Sequence, residues 1–467
     1  MLYNTSLVVR RYFFMGEIIH ENKMGTMPVG KLIISMSWPA MLSMLIQALY
    51  NVVDSMFVSM ICEEALSAVT YIFPIQMLMI AVGVGTGVGV NSLIARRLGA
   101  KKFEEANDAA SHGYMLSFVN AAVFALIGLL VSRPFMTLFT DNEFIRESGI
   151  DYMTIICVFS VFQFVQVSTE RILQAEGNMI FPMLCSISGA ITNIVLDPLL
   201  IFGIGPFPEM GVAGAAVATV VGQAASMSLG QYLLFSRKHQ VTLKLKGFRF
   251  HKDVLKDVYA VGLPAIVMQS LMSVLQLGLN GILGGISETA VAVNGVYGRM
   301  QSFIFMPVFG MNQGVMPIMG YNYGARHKNR LMKTYKISFG IAFCIMLVGV
   351  IIFQLFPETL LSIFSASDNM MEIGVPAFRI ISICFLPASF GIITSALLQA
   401  TGHGVMSLWM SLIRQMIGIL PLAFIFSRLW GLPVVWAAFP LSETLGLTFA
   451  AICLVRIYKK EISKLDR

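Results

Sequence analysis

Twelve mostly apolar windows, each long enough to cross a bilayer, run along this chain and leave little else for it to fold into. They lie near 33–61, 66–94, 112–133, 146–168, 180–204 and 211–235, then near 256–284, 288–318, 335–356, 370–396, 405–428 and 431–455. A spanning helix needs about 20 apolar residues. Composition agrees: 57% of residues are hydrophobic and 12% charged, with mean hydropathy +0.77, where a soluble chain is about a quarter charged. The expected class is an all-α polytopic membrane protein.

A net charge of +7 invites a nucleic-acid reading, but the basic residues sit in short connectors. Arg96, Arg97, Lys101 and Lys102 follow the second window, and Arg237, Lys238, Lys244, Lys246, Arg249, Lys252 and Lys256 follow the sixth. Arg326, Lys328, Arg330, Lys333 and Lys336 follow the eighth, and Arg456, Lys459, Lys460 and Lys464 follow the last. The connectors around Glu63, Pro206, Ser287 and Pro357 carry no Lys or Arg. Alternation of this kind reports orientation in a membrane, not nucleic-acid binding. It predicts both termini in the cytoplasm of a multi-pass cell-membrane protein, hence an even number of spans.

The second half repeats the first. At a constant offset Pro39 matches Pro264, Ala65 matches Ala290, Gly85 and Gly89 match Gly310 and Gly314, and Gly99-Ala100 matches Gly324-Ala325. Leu173-Gln174-Ala175 and Gly177 match Leu398-Gln399-Ala400 and Gly402. The expected layout is a tail (1–30), a six-helix lobe (31–235), a basic linker (236–255), a second six-helix lobe (256–455) and a basic tail (456–467). Two units with even span numbers share one orientation, which predicts two pseudo-symmetric six-helix bundles with a site near the midplane between them. Arg10, Arg11, Glu17, Glu21 and Lys23 interrupt any signal-like run in 1–30. That segment reads as a loose cytoplasmic tail or as lying upstream of a start at Met24 or Met27.

Asp54 stands inside the first apolar window. A carboxylate at mid-bilayer costs about 2.5–3.5 kcal/mol on insertion scales, so such a residue faces a cavity or a partner. Gln47, Asn51 and Asp54 are spaced i, i+4, i+7 and share a helical face. In ITNIVLDPLLIFG, Asn193 and Asp197 share another. Two carboxylates with amide and hydroxyl oxygens nearby, Thr219 among them, can hold Na⁺ or share protons. Alternatively Asp197, next to Pro198, marks a helix bend. The repeat mate of Asp54 is Leu279, and the seventh window offers only neutral Gln269, Gln276 and Asn280, so ion coupling is assigned to the first lobe.

Other signals have structural readings beside functional ones. GVGTGVGVN (83–91) looks like a phosphate loop but lacks GK[ST] and lies within a window, so close helix packing is expected. Arg414 and Glu443 are read as a buried pair, structural or functional. Glu170, Arg171 and Glu176 around LQAEG are expected to form a charged membrane-face loop. Six scattered cysteines without a CxxC pair argue against a metal or disulfide framework. Thirty-two methionines suit an adaptable apolar cavity.

Together PAMLSMLIQALYNVVDSMFVS, RRLGAKK, LQAEGN, NIVLDPLLIFG and GVAGAAVAT resemble the multidrug and toxic compound extrusion (MATE) family from about residue 30 onward. That resemblance implies a twelve-helix antiporter exporting organic cations or amphipathic compounds against inward H⁺ or Na⁺. It places Asp54, Asn193, Asp197 and Thr219 at the ion site, where Na⁺ would bind, and Pro39 where the first helix of some members bends. The acidic residues that another branch carries in its seventh and tenth spans are missing here, which favours coupling through the first lobe. Gln47, Asn51, Gln269, Gln276 and Asn280 are the substrate-cavity candidates. The chain is expected to act as a monomer in the lipid bilayer, without other cofactors. Alternatives are a dedicated metabolite exporter or a lipid-linked oligosaccharide flippase of related fold. No His/Cys/carboxylate cluster suits an enzyme.

Overall fold

The computed structural model describes residues 22–236, 239–364 and 366–465. Among them ten helices are long and apolar enough to cross a membrane, and two bent pairs make two more spans. The first lobe comprises Val29–Ser59, Glu63–Gly99, Phe103–Phe139, the pair Glu143–Val158 and Val161–Ala175, Ile180–Ile201 and Gly211–Ser236. The second lobe comprises Lys252–Gly284, Glu288–Gly324, Lys328–Leu355, the pair Asp368–Ser382 and Phe385–Ala400, Gly404–Leu429 and Ala438–Lys460. These are spans one to twelve below. The fold is therefore the expected pair of six-helix bundles. The bends, 43° in the fourth span and 48° in the tenth, fall at repeat-matched positions.

Several helices outrun their apolar windows at the face bearing the basic connectors, called the basic face here. The third span begins at Phe103 with Glu104 and Glu105 in its first turn, where carboxylates suit the positive end of the helix dipole.

The lobes meet along a glycine seam confined to the basic-face halves of spans one, two, seven and eight. A Cβ on Gly89 would stand 2.2 Å from the Val258 carbonyl oxygen, and one on Gly314 would stand 2.7 Å from that of Met36. Gly85 abuts Ile266 and Gly310 abuts Met41; Gly99 abuts the Tyr321 carbonyl and Gly324 that of Arg96. Met41 and Ile266 are repeat mates, as are Arg96 and Tyr321, so the interface is built twice over by one pseudo-two-fold axis. The glycine run packs, as its position inside a span required. Ser92 Oγ donates to the Gln399 carbonyl at 2.6 Å across the same seam.

Residues 1–21, Arg237 and Lys238 of the linker, and 466–467 lie outside the described residues. From Asn22 onward the expectation of a loose N-terminal tail fails. Lys23–Thr26 is helical and Met24 is buried. The Met24 carbonyl accepts from Asn322 and Arg330, and Arg330 also donates to the Met27 carbonyl, while Asn22 donates to the Glu176 carbonyl. This segment therefore bridges both lobes. The last tail is docked too: Ile462 is buried, and Glu461 accepts from Tyr323 Oη at 2.7 Å and pairs with His403 at 3.0 Å.

Candidate functional site

The expected polar stripe of the first span lies near its far end from the basic face. Asp54 is half-buried, and its Oδ1 is buried without a hydrogen-bond partner. The fifth span packs beside it and carries Asn193 and Asp197 one turn apart, as an i, i+4 pair must be. Asn193 Nδ2 donates to Asp197 Oδ1 at 3.2 Å. Asn193 Oδ1 and Asp197 Oδ2 are buried and unpartnered, and Asp197 is fully buried. Asp54 and Asp197 are close enough to act on each other electrostatically. Pro198 follows Asp197 within an unbroken helix, so the carboxylate serves no helix end.

An unpaired buried oxygen costs about 1–3 kcal/mol, more when charged. Three of them converging in one lobe make a donor set suited to a hard cation or a proton. Thr219 lies on the stripe of the sixth span that includes Gly222 and Ser226. That stripe faces the fifth span, where a Cβ on Gly222 would stand 3.1 Å from Asn193 Cβ. Among the described residues no hydrogen bond joins Thr219 to the carboxylates. Pro39 is buried inside the continuous first helix.

Sequence reasoning missed three neighbours. Tyr50 and Tyr152 both feel the charges of Asp54 and Asp197, and Gln76 Nε2 donates to Tyr152 Oη at 3.1 Å. Tyr50 was legible, one turn before Asp54 on the same face. Gln76 and Tyr152 stand alone in their spans, and only tertiary packing brings them in.

Beyond the seam, Gln47, Asn51, Gln269 and Gln276 are exposed. Gln269 and Gln276 continue the Gly262–Ile266 stripe that meets the second span, on the stretch of the seventh span past the glycine seam. Asn51 is the repeat mate of Gln276, which puts an amide in either lobe. Asn280 is half-buried, and its Oδ1 accepts from Asn294 at 2.9 Å and from Gln276 at 3.4 Å.

The LQAEG charges are not the expected solvated loop. Glu170 and Arg171 lie within the fourth span. Glu170 accepts from Gln166 and Ser186, and Arg171 donates to Gln174 at 3.0 Å and across the seam to Gln313 at 3.3 Å. The Glu176 side chain is 6% exposed and clamps the linker: Oε1 accepts from the Val241 amide at 2.6 Å and Oε2 meets His239 Nδ1 at 2.7 Å. That hydrogen bond raises the His239 pKa above its ordinary value. Runs of charge read as solvated in sequence are satisfied here by amides and backbone that the lobes bring to them.

Asp108, His112 and His251 also cluster, with potential ligand atoms within 4.8 Å of one another. Both His112 ring nitrogens are already engaged, Nδ1 with the Asp108 carbonyl and Nε2 accepting from the His251 amide, each at 2.8 Å. The cluster fastens the linker to the third span.

Comparison with known proteins agrees with this architecture. A family model described as MatE matches residues 39–199 and 264–425, one copy in each lobe. The FAD transporter of Shewanella oneidensis is 26% identical over 90% of this chain and 92% of its own. The multidrug export protein MepA of Staphylococcus aureus is 25% identical over 93% of this chain and 95% of its own. An outward-facing multidrug resistance MATE transporter of the MOP superfamily superposes with a TM-score of 0.86, at 30% identity, over 96% of this chain and 99% of that one. A MOP superfamily transporter of Pyrococcus furiosus, described as having a binding pocket of reversed polarity, matches at TM-score 0.86 and 29% identity over the same shares.

Proposed function

The chain belongs to the MatE family, and from that premise we propose that it is a secondary active antiporter exporting organic cations or amphipathic compounds against inward H⁺ or Na⁺. The single observation that carries the ion coupling is the set of three unpartnered buried oxygens on Asp54, Asn193 and Asp197. The relatives named above are transporters, and the groups assembled here bind and release ions without forming bonds.

By the positive-inside rule the basic face is cytoplasmic. The seam then closes the cytoplasmic side and the cleft opens outward. H⁺ or Na⁺ entering from outside neutralises Asp54 and Asp197. That weakens the hold of the cleft on a cationic substrate, which leaves outward. The loaded protein parts its glycine seam, loses the ion to the cytoplasm and takes up new substrate between the amide-lined walls, Gln47 and Asn51 on one side and Gln269 and Gln276 on the other. Pro39, beside the seam, is where the first span bends during this cycle. Thr219 completes the ion's ligand shell once its hydroxyl turns toward Asp197. An inward potential supplies about 2.3 kcal/mol per charge per 100 mV. Both lobes are in one chain, so a monomer in the cell membrane suffices.

The test is efflux of a fluorescent organic cation from vesicles under separately imposed pH and Na⁺ gradients. Asp54→Asn is expected to abolish the gradient-driven part, and efflux at the wild-type rate would sink the reading. The FAD transporter relative supports a second reading, export of one metabolite. Inhibition of dye efflux by a flavin dinucleotide but not by assorted organic cations would favour it.

A further inference from the structure

The second lobe is not simply a first lobe without its carboxylates. Arg414 Nη1 lies 3.6 Å from Glu443 Oε1, with the Glu443 side chain 8% exposed. Arg414 sits in Ile413–Ile419, where the eleventh span is wound as a π-helix. Such segments add a residue per turn and recur at functional sites.

The repeat shows what this pair replaces. At the offset that relates the two halves, Gly189 and Asn193 of the fifth span align in sequence with Arg414 and Gly418. In the first lobe, a Cβ on Gly189 would stand 3.1 Å from Ser226 Cβ, and one on Gly222 would stand 3.1 Å from Asn193 Cβ. In the second lobe, Gly446 faces Arg414 Cβ at 3.4 Å and Gly418 faces Ser442 Cβ at 2.7 Å, and Ser442 Oγ donates to the Arg414 carbonyl at 2.8 Å. At both levels the small residue has changed helix. Where the first lobe has Gly189 the second has a guanidinium, and where it has Asn193 and Asp197 the second has Gly418 and Leu422.

Glu443 is thus a buried carboxylate at the contact between spans eleven and twelve, the counterpart of the contact between spans five and six that carries Asn193. The charged or titratable groups that act on it are Arg414 of the eleventh span, Tyr297 of the eighth and Cys384 at the break of the tenth. Tyr297 Oη is buried without a hydrogen-bond partner. A buried carboxylate needs a counter-charge. In the first lobe that charge must come from solution. In the second it is covalently part of the chain.

We propose that Arg414 is a tethered cation: it holds Glu443 and the second lobe permanently in the loaded condition that the first lobe reaches only when an ion binds. Ion sensitivity is thereby confined to one lobe, and removing Arg414 uncovers a second cation-responsive site at Glu443. This inference rests on the reading of the first lobe as the ion-coupled one, and the experiment separates the two.

Spin labels at Lys101 and His327, one in each lobe on the basic face, report seam opening in full-length protein in lipid nanodiscs across pH and with or without Na⁺. In Asp54→Asn the label distance should no longer respond to either ion. Adding Arg414→Met, which keeps the stem over Gly446 but not the charge, should restore a response. Adding Glu443→Gln should abolish it again, and Asp54→Asn with Arg414→Lys should stay silent. A merely structural ion pair would leave Asp54→Asn/Arg414→Met as silent as Asp54→Asn, and that result overturns the proposal. If Asp54→Asn alone still responds fully, the first-lobe reading fails instead, and an added Glu443-dependent response still decides the Arg414 question. Should Arg414→Met not fold, recovery of native elution and unfolding temperature in Arg414→Met/Glu443→Gln supports an uncompensated carboxylate, whereas misfolding of both overturns it.

Discussion

The two lobes share one fold and one seam but answer the problem of a buried carboxylate in opposite ways. In the first, Asp54, Asn193 and Asp197 leave oxygens unpartnered. In the second, Leu279 replaces Asp54, and a deep carboxylate, Glu443, meets Arg414. Their packing surfaces stay equivalent, since Gly85 and Gly310 meet the opposite lobe at the repeat mates Ile266 and Met41. Symmetric packing with asymmetric charge teaches that the packing between lobes and the proposed ion switch are separable parts. A mutation should disturb one without the other.

The largest effect is expected from breaking the charge asymmetry. Losing a hydrogen-bonded or ionic contact to a charged group costs about 1.5–3 kcal/mol, so Asp197→Asn should cut ion-driven efflux by about 10- to 100-fold in vesicle assays. Leu422→Asn, at the repeat mate of Asp197, should leave the ion dependence unchanged. Comparable loss from both would mean that the lobes share the coupling.

Breaking the packing symmetry should give an effect of middle size and equal from either side. Gly89→Val and Gly314→Val each force a side chain into backbone of the other lobe, at an overpacking cost of about 1–3 kcal/mol. Both should shift the equilibrium away from the closed basic face, read as a longer distance between spin labels at Lys101 and His327 on that face. Exposure from one substitution and not the other would contradict a shared two-fold seam.

Much of this was legible in the sequence because membranes punish ambiguity. Asp54 and the Asn193–Asp197 pair announce themselves against an apolar background, and the offset linking Pro39 to Pro264 exposed both the repeat and the missing carboxylate at Leu279. What escaped was whatever depends on packing between distant elements. Tyr152 and Gln76 meet only through tertiary contact. Asn22 carries no amphipathic signal, because its stabilisation comes from the Glu176 carbonyl supplied by another element. The swap of Gly189 for Arg414 means nothing until Gly446 is seen to make room for it.

Gln47, Asn51, Gln269 and Gln276 offer a gentler comparison. If the cleft grips substrate through amides on both walls, Asn51→Ala and Gln276→Ala should each weaken apparent affinity by a few-fold without altering the ion dependence. Each neutral hydrogen bond is worth about 0.5–1.5 kcal/mol, and dye efflux measured across substrate concentrations separates affinity from maximal rate. A change in ion dependence with either variant would tie the cleft to the switch more closely than the charge layout requires.

The smallest effect concerns the linker between lobes. His239 gains its hydrogen bond from Glu176 in the folded state, which raises its pKa, against an unfolded value of about 6.5. Stability from this contact is therefore fully present below about pH 6.5 and is lost as pH rises through the folded value. Its worth is about 1 kcal/mol, the net value of one hydrogen bond. His239→Gln should flatten this alkaline loss, measured as unfolding temperature against pH, and should lower stability on the acid side only. An unchanged slope would mean that the Val241 amide, not His239, carries the clamp on Glu176. That outcome would turn the linker into a fixed tie between the lobes, insensitive to pH in this range.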